Sequence, residues 1–354
     1  MNIEELIDVW GDENVAGIIG LFVGLLFGIF AQQSRFCLRA ACVEFWRGKA
    51  KSTFAIWLFT FSAALIATQL LISTSSLDIS SIRQLNAVGS LSGAIIGGLL
   101  FGSGMILAKG CASRLLVLSA TGNMRALIAG LVITLVAQAS LRGGLSPFRE
   151  SLSSIWTLQS HERGFSSWLP SQGGLILGII LLIIGIVYAK KYHLNRWQGV
   201  AALLTGSCVA LGWFLTSWQA DNTFGIISIK SISFTGPSAD TLMGLINRPS
   251  LPFSFDVGLV PGVFLGSFLA SVISKQFKWQ QFTQETRQSR YLIGASMIGF
   301  GSMLAGGCAV GAGVTGGALL SITAWVALFF MWLGAGITDW LIDNPKGIYG
   351  KLAS

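Results

Sequence analysis

Charge is what this 354-residue chain has least of: Asp, Glu, Lys and Arg make up 11% of it, against 53% hydrophobic residues and a mean hydropathy of +0.69. A soluble protein of this length needs far more polar surface, so the composition points to the bilayer as solvent. Histidine is almost missing, with only His161 and His193, and no two of the five cysteines form a Cys-x-x-Cys pair. Cys37 and Cys42 stand five apart, on different faces of any helix, so no metal or cofactor is expected. Apolar and polar residues do not alternate, which excludes a transmembrane β-barrel. No carboxylate falls at the centre of an apolar run, so neither a proton relay nor a coupling ion is readable. The 23 basic residues give a net charge of +8 but form no long arm and are not interleaved with aromatics, so nucleic acid is not an expected partner.

What the chain does have is apolar runs of about 18 to 20 residues, each long enough to cross a hydrocarbon core as a helix. Spans are expected near 15–31, 54–73, 90–108, 124–141, 172–189, 196–215, 256–274, 291–307 and 319–340. The first is preceded by Glu4, Glu5, Asp8, Asp12 and Glu13 with no basic residue, unlike a cleaved signal peptide, and is expected to be retained. With the N-terminus outside, seventeen of the 23 basic residues fall on the cytoplasmic side and six on the other. The positive-inside rule therefore predicts a multi-pass inner-membrane protein with a periplasmic N-terminus and a cytoplasmic C-terminus.

Setting Cys111 on Cys308 brings Gly97, Gly102, Gly104, Leu107, Ala108, Gly110 and Ala112 onto Gly294, Gly299, Gly301, Leu304, Ala305, Gly307 and Ala309. This reads as an internal repeat. The odd number of crossings between the halves inverts it. The expected fold is an all-α membrane protein of about nine transmembrane helices plus short re-entrant or broken helices. It forms one integral domain, with a first repeat over 15–141, a linking helix over 172–189 and a second, inverted repeat over 196–340. Such repeats characterise transporter folds whose solute path lies at the repeat interface.

The cysteine segments carry the chemistry. Cys111 is followed by Ala-Ser-Arg-Leu-Leu and a breaker ending in Gly122-Asn123, and Cys308 by a run containing Gly311, Gly313, Gly316 and Gly317. Both are poor continuous spanning helices. Backbone freed at membrane depth must line a cavity or be buried in protein; close helix packing through small residues is the competing reading. A thiol is a weak donor that suits a polarizable sulfur anion, and weak sites release what they bind. Arg35, Arg39, Lys109 and Arg114 are candidates for a positive inner funnel, although topology alone also places basic residues there. Cys42 and Cys208 are read as packed thiols.

The motifs Ser34-Arg35-Phe36-Cys37, Gly110-Cys111-Ala112-Ser113-Arg114 and Gly306-Gly307-Cys308-Ala309-Val310-Gly311 resemble those of the YeeE/YedE family of bacterial membrane transporters, and the resemblance covers nearly the whole chain. It implies thiosulfate uptake, with Cys308 as outer, Cys111 as central and Cys37 as inner thiol along an hourglass path. Ser113-Arg114 departs from the smaller residues that follow the central cysteine in thiosulfate-importing members. Two other functions fit the same residues: a membrane sulfurtransferase or redox protein modified at Cys37, whose basic surroundings favour thiolate, and a docking subunit whose basic loops receive a soluble TusA-like sulfur-carrier protein.

Overall fold

The computed structural model describes residues 11–49, 51–78, 82–159, 164, 172–223, 227–247, 252–280 and 288–343. Among these, nine segments are long and apolar enough to cross a membrane, at the nine expected places. His161 and the acidic residues 4, 5 and 8 lie outside the described residues.

Among the described residues, nine long helices build the bundle: α1 (Asp12–Ser34), α3 (Ser52–Ser73), α4 (Leu91–Leu107), α6 (Met124–Arg142), α8 (Gly173–Lys191), α9 (Arg196–Asp221), α11 (Phe255–Ile273), α12 (Gln288–Leu304) and α14 (Ile322–Thr338). Between them run short helices: α2 (Leu38–Trp46), α5 (Ala112–Ala120), α7 (Ser146–Ser153), α10 (Thr235–Asn247) and the wide, π-type α13 (Ala309–Gly316). A two-residue strand at Gly89–Ser90 pairs antiparallel with Thr157–Leu158 at the mouth of α4.

In a bilayer, helices gain little from burying apolar side chains against one another, so close backbone approach decides which of them touch. α1 and α11 run parallel, with Gly20, Gly24 and Gly28 of one set against Phe255, Leu259 and Val263 of the other. α4 and α12 cross antiparallel. A Cβ on Gly97 would stand 2.6 Å from the Gly301 carbonyl oxygen, and one on Gly301 2.8 Å from that of Gly97; Gly104 and Gly294 oppose each other in the same way at 2.6 and 2.8 Å. α9 packs on α1 and α3, α14 on α4, α12 on α6, and α8 on α3.

Several short helices fall in segments read as connecting loops, among them α2, α7 and α10. Residues 38–46 and 235–247 read as connecting loops because neither is long or apolar enough to span. Each is held from outside. α2 docks on α14 through the aromatic cluster of Phe45, Trp46, Phe54, Trp57 and Trp332, with Trp46 Nε1 donating to the Trp332 carbonyl at 2.9 Å. Its far end is tied by Arg47, which grips the buried Asp339 through two hydrogen bonds of 2.8 and 2.7 Å. α10 packs on α6 and α11.

Candidate functional site

The three expected cysteine segments share one local design. α1 ends at Ser34, Arg35 turns into the left-handed region (φ 56°), and Cys37 is extended (φ −161°, ψ 114°) as the N-cap of α2. After α4, Lys109 is left-handed (φ 55°) and the extended Cys111 caps α5. After α12, Gly306 takes φ 81° and Cys308 caps α13. A left-handed residue two positions before each cysteine breaks one helix so that another can start at the thiol. At Gly306 the turn costs little, whereas at Arg35 and Lys109 it costs about 1–2 kcal/mol that the surrounding packing must offset. Gly110, just before Cys111, is buried, and a Cβ there would press on the Leu115 side chain at 3.0 Å. Gly307 has φ 156°, and a Cβ there would sit 2.8 Å from the Ala312 nitrogen. A side chain on Gly311 would collide with Ser233.

These breaks lie inside the bundle. α4 is about 26 Å long and α5 about 14 Å, so together they make one interrupted crossing with Cys111 at the interruption. α5 ends at Thr121, whose carbonyl accepts from Lys278 N at 3.2 Å, and Asn123, the cap of α6, donates to Gln280 at 2.7 Å. All three cysteines are free and buried. A helix start carries a partial positive charge and unpaired N–H groups. Neither Cys37 nor Cys111 caps its helix with a side-chain bond, whereas Cys308 Sγ accepts from the Gly311 N–H at 3.4 Å and keeps its own S–H to donate.

The thiols of Cys37 and Cys111 are close enough to influence each other, and Cys111 Sγ meets Ser113 Oγ at 3.4 Å. The cysteines expected to be the inner and central stations are therefore neighbours. Arg114 extends to the same place and interacts with both thiols. The other basic candidates have different surroundings. Arg39 is 3.8 Å from Asp343, Lys109 is exposed with its Nζ 5.9 Å from the centre of the Tyr291 ring, and Arg35 is exposed but close enough to repel Arg114. Cys42 and Cys208 are packed in the hydrophobic core.

Next to the segment that holds Cys308, a cavity of about 250 Å³ is lined by Gln84, Ser90, Arg149, Gly306, Gly311 and Ser321, among others, with the Cys308 thiol itself buried behind its wall. Sequence reasoning missed Gln84 and Arg149, whose segments read as connecting loops. Arg149 is held by a hydrogen bond to the Ser140 carbonyl at 2.8 Å and by Glu150 at 3.0 Å. A second cavity, of about 600 Å³, lies between α6, α10 and the start of α11, with Arg142 and Asp240 on its walls. Burial pushes the Asp240 carboxyl up from its ordinary range, with Asp256 acting in the same direction and Arg142 and Lys230 opposing.

Nine apolar spans among the described residues, with buried thiols at helix breaks, define a polytopic α-helical membrane protein. The chain belongs to the sulphur transport family, whose profile matches residues 33–337. It is 27% identical over 341 residues to the thiosulfate transporter TsuA of Spirochaeta thermophila, covering 91% of this chain and 98% of that one. It is 28% identical over 345 residues to the thiosulfate transporter TsuA of Escherichia coli, covering 91% of this chain and 94% of that protein.

Proposed function

We propose that this protein is an inner-membrane importer of thiosulfate or a closely related sulfur anion, and not an enzyme. The observation that carries the reading is that Cys37, Cys111 and Cys308 each stand at the start of a short helix inside the bundle of a sulphur transport family member. A helix start offers backbone N–H groups to an anion, and the thiol beside it adds a soft donor that releases as easily as it binds. Both relatives named above are thiosulfate transporters. In this reading the anion is admitted beside Cys308 from the cavity lined by Arg149 and passes to the Cys111 and Cys37 pair.

The path runs between two inverted halves, 15–141 and 196–340, joined by the helix at 172–189. Support comes from the contacts. The repeat sets Gly97 on Gly294 and Gly104 on Gly301, so the Gly97–Gly301 contact is the image of the Gly294–Gly104 contact, as a two-fold axis through the crossing requires. The pairings α1 with α11 and α3 with α9 are images too, as are α4 with α14 and α12 with α6. The basic-residue count supports an outside N-terminus and an inside C-terminus.

The test is growth on thiosulfate as sole sulfur source in cells lacking other uptake routes. Cys111→Ala and Cys308→Ala should each abolish it; ordinary growth with both substitutions would sink the relay. A sulfurtransferase working through Cys37 predicts a stable sulfur adduct by intact mass after exposure to thiosulfate. A docking subunit for a TusA-like carrier predicts carrier binding without solute flux in liposomes.

A further inference from the structure

We infer that Arg114, with the first turns of α2 and α5, forms an anion-holding station beside the Cys37–Cys111 pair, selective for oxyanions that carry two negative charges. The inference rests on the transport reading for its direction of travel, but its chemistry stands on separate observations. Two helix starts adjoin here, since Cys37 and Cys111 are neighbours and each is the N-cap residue of one, and neither first turn is closed by a side chain. Both helices are nine residues long, enough to carry a dipole.

Arg114 supplies the second observation. It is the third residue of α5 and is near enough to both thiols to feel their charge, and its Nη1 is sealed from solvent with no hydrogen-bond partner among the described residues. No carboxylate forms an ion pair with it among the described residues; the charged side chain beside it is Arg35, of the same sign. Arg39, on the first turn of α2, is already engaged by Asp343. A cation with a sealed, idle donor is costly until an anion completes it. The guanidinium fork matches two oxygens of one tetrahedral group, and the S–H and N–H donors take the remaining lone pairs. A monovalent anion with a single acceptor atom uses only part of this set.

The offset that superposes Cys111 on Cys308 sets Arg114 on Gly311, where no side chain fits against Ser233. The station beside Cys308 therefore has a thiol and helix N–H groups but no cation at the matching position. The two stations are unequal: one admits the anion and the other holds it.

The experiment compares wild type, Arg114→Met and Arg114→Lys in proteoliposomes, measuring the KM for thiosulfate and competition by sulfate and by thiocyanate. Arg114→Met should raise KM at least tenfold with a smaller fall in maximal rate. It should lose competition by sulfate while competition by thiocyanate stays as in wild type, and Arg114→Lys should recover part of the sulfate effect. A wild-type KM and an unchanged competition pattern in Arg114→Met would overturn the assignment. If that variant does not fold, Arg114→Lys decides, with at least a threefold rise in KM expected and an unaltered KM overturning the station. If wild type moves no thiosulfate, thermal unfolding in detergent separates the two readings. Stabilisation of wild type but not Arg114→Lys by divalent oxyanions keeps the station and removes the transport reading; no stabilisation of wild type by thiosulfate or sulfate removes both.

Discussion

A thiol that caps a helix has two tasks, and substitutions separate them. Cys308 Sγ accepts the Gly311 N–H and still has a proton to give. Serine keeps both capacities, as hydroxyl N-caps do. Cys308→Ser should retain a measurable part of thiosulfate uptake in proteoliposomes, while Cys308→Ala falls at least tenfold below wild type. Cys42→Ala and Cys208→Ala, at packed positions, should stay within about twofold of wild type, with a stability cost on the order of 1 kcal/mol. At Asp240 the folded state raises the carboxyl pKa. The ionised form is thus disfavoured in the fold, and its penalty applies above the raised value and fades as pH falls toward the unfolded one. Asp240→Asn should raise the unfolding temperature at neutral pH, and the gain should vanish in acid.

Among the elements, the short helices are where the fold is least self-sufficient. Nine residues are too few to hold a helix in isolation, so α2 depends on its aromatic dock and on the Arg47–Asp339 pair. Removing one partner of a buried pair leaves the other uncompensated. Because Arg47 is about one-third exposed, Asp339→Asn should cost about 2–3 kcal/mol, not the larger penalty of a sealed pair, read as a lower unfolding temperature in detergent. The spans themselves were legible in the hydropathy of the chain, and the broken segments in its glycines. The helix Leu38–Trp46 was not, because Arg39 and Glu44 give it the polarity of a loop while its aromatic partner Trp332 lies almost 300 residues away. The run from Ala309 to Gly316 is helical despite its three glycines because Thr315 Oγ1 donates to the Ile232 carbonyl at 2.7 Å and α14 packs along it. The order of the cysteines along the chain was readable, but the meeting of Cys37 with Cys111 was not, since it depends on where two separate breaks fall in depth.

For the molecule as a whole, moving a dianion into a negative-inside compartment opposes about 2.3 kcal/mol per charge per 100 mV. Uncoupled flux should therefore rise when a potassium diffusion potential makes the liposome interior positive. Flux that ignores the imposed potential would mean that a co-transported cation balances the charge. The seam of α4 and α12 leaves little slack: Gly301→Leu drives a side chain into backbone and should lower the unfolding temperature more than Gly130→Leu, a glycine of α6 with open space around it.

That seam also bears on how such a molecule came to exist. Each of the two crossing helices carries both faces of the contact, so a chain of half the length, inserted once in each orientation, would already own a matching partner in its own copy. On the proposed reading of two inverted halves, joining the copies requires one additional crossing, a part that α8, packed on α3, could play. On that reading, joined copies are free to drift apart wherever a directional task rewards inequality, and a guanidinium at Arg114 against a bare glycine at Gly311 is the kind of residue-level trace it would leave.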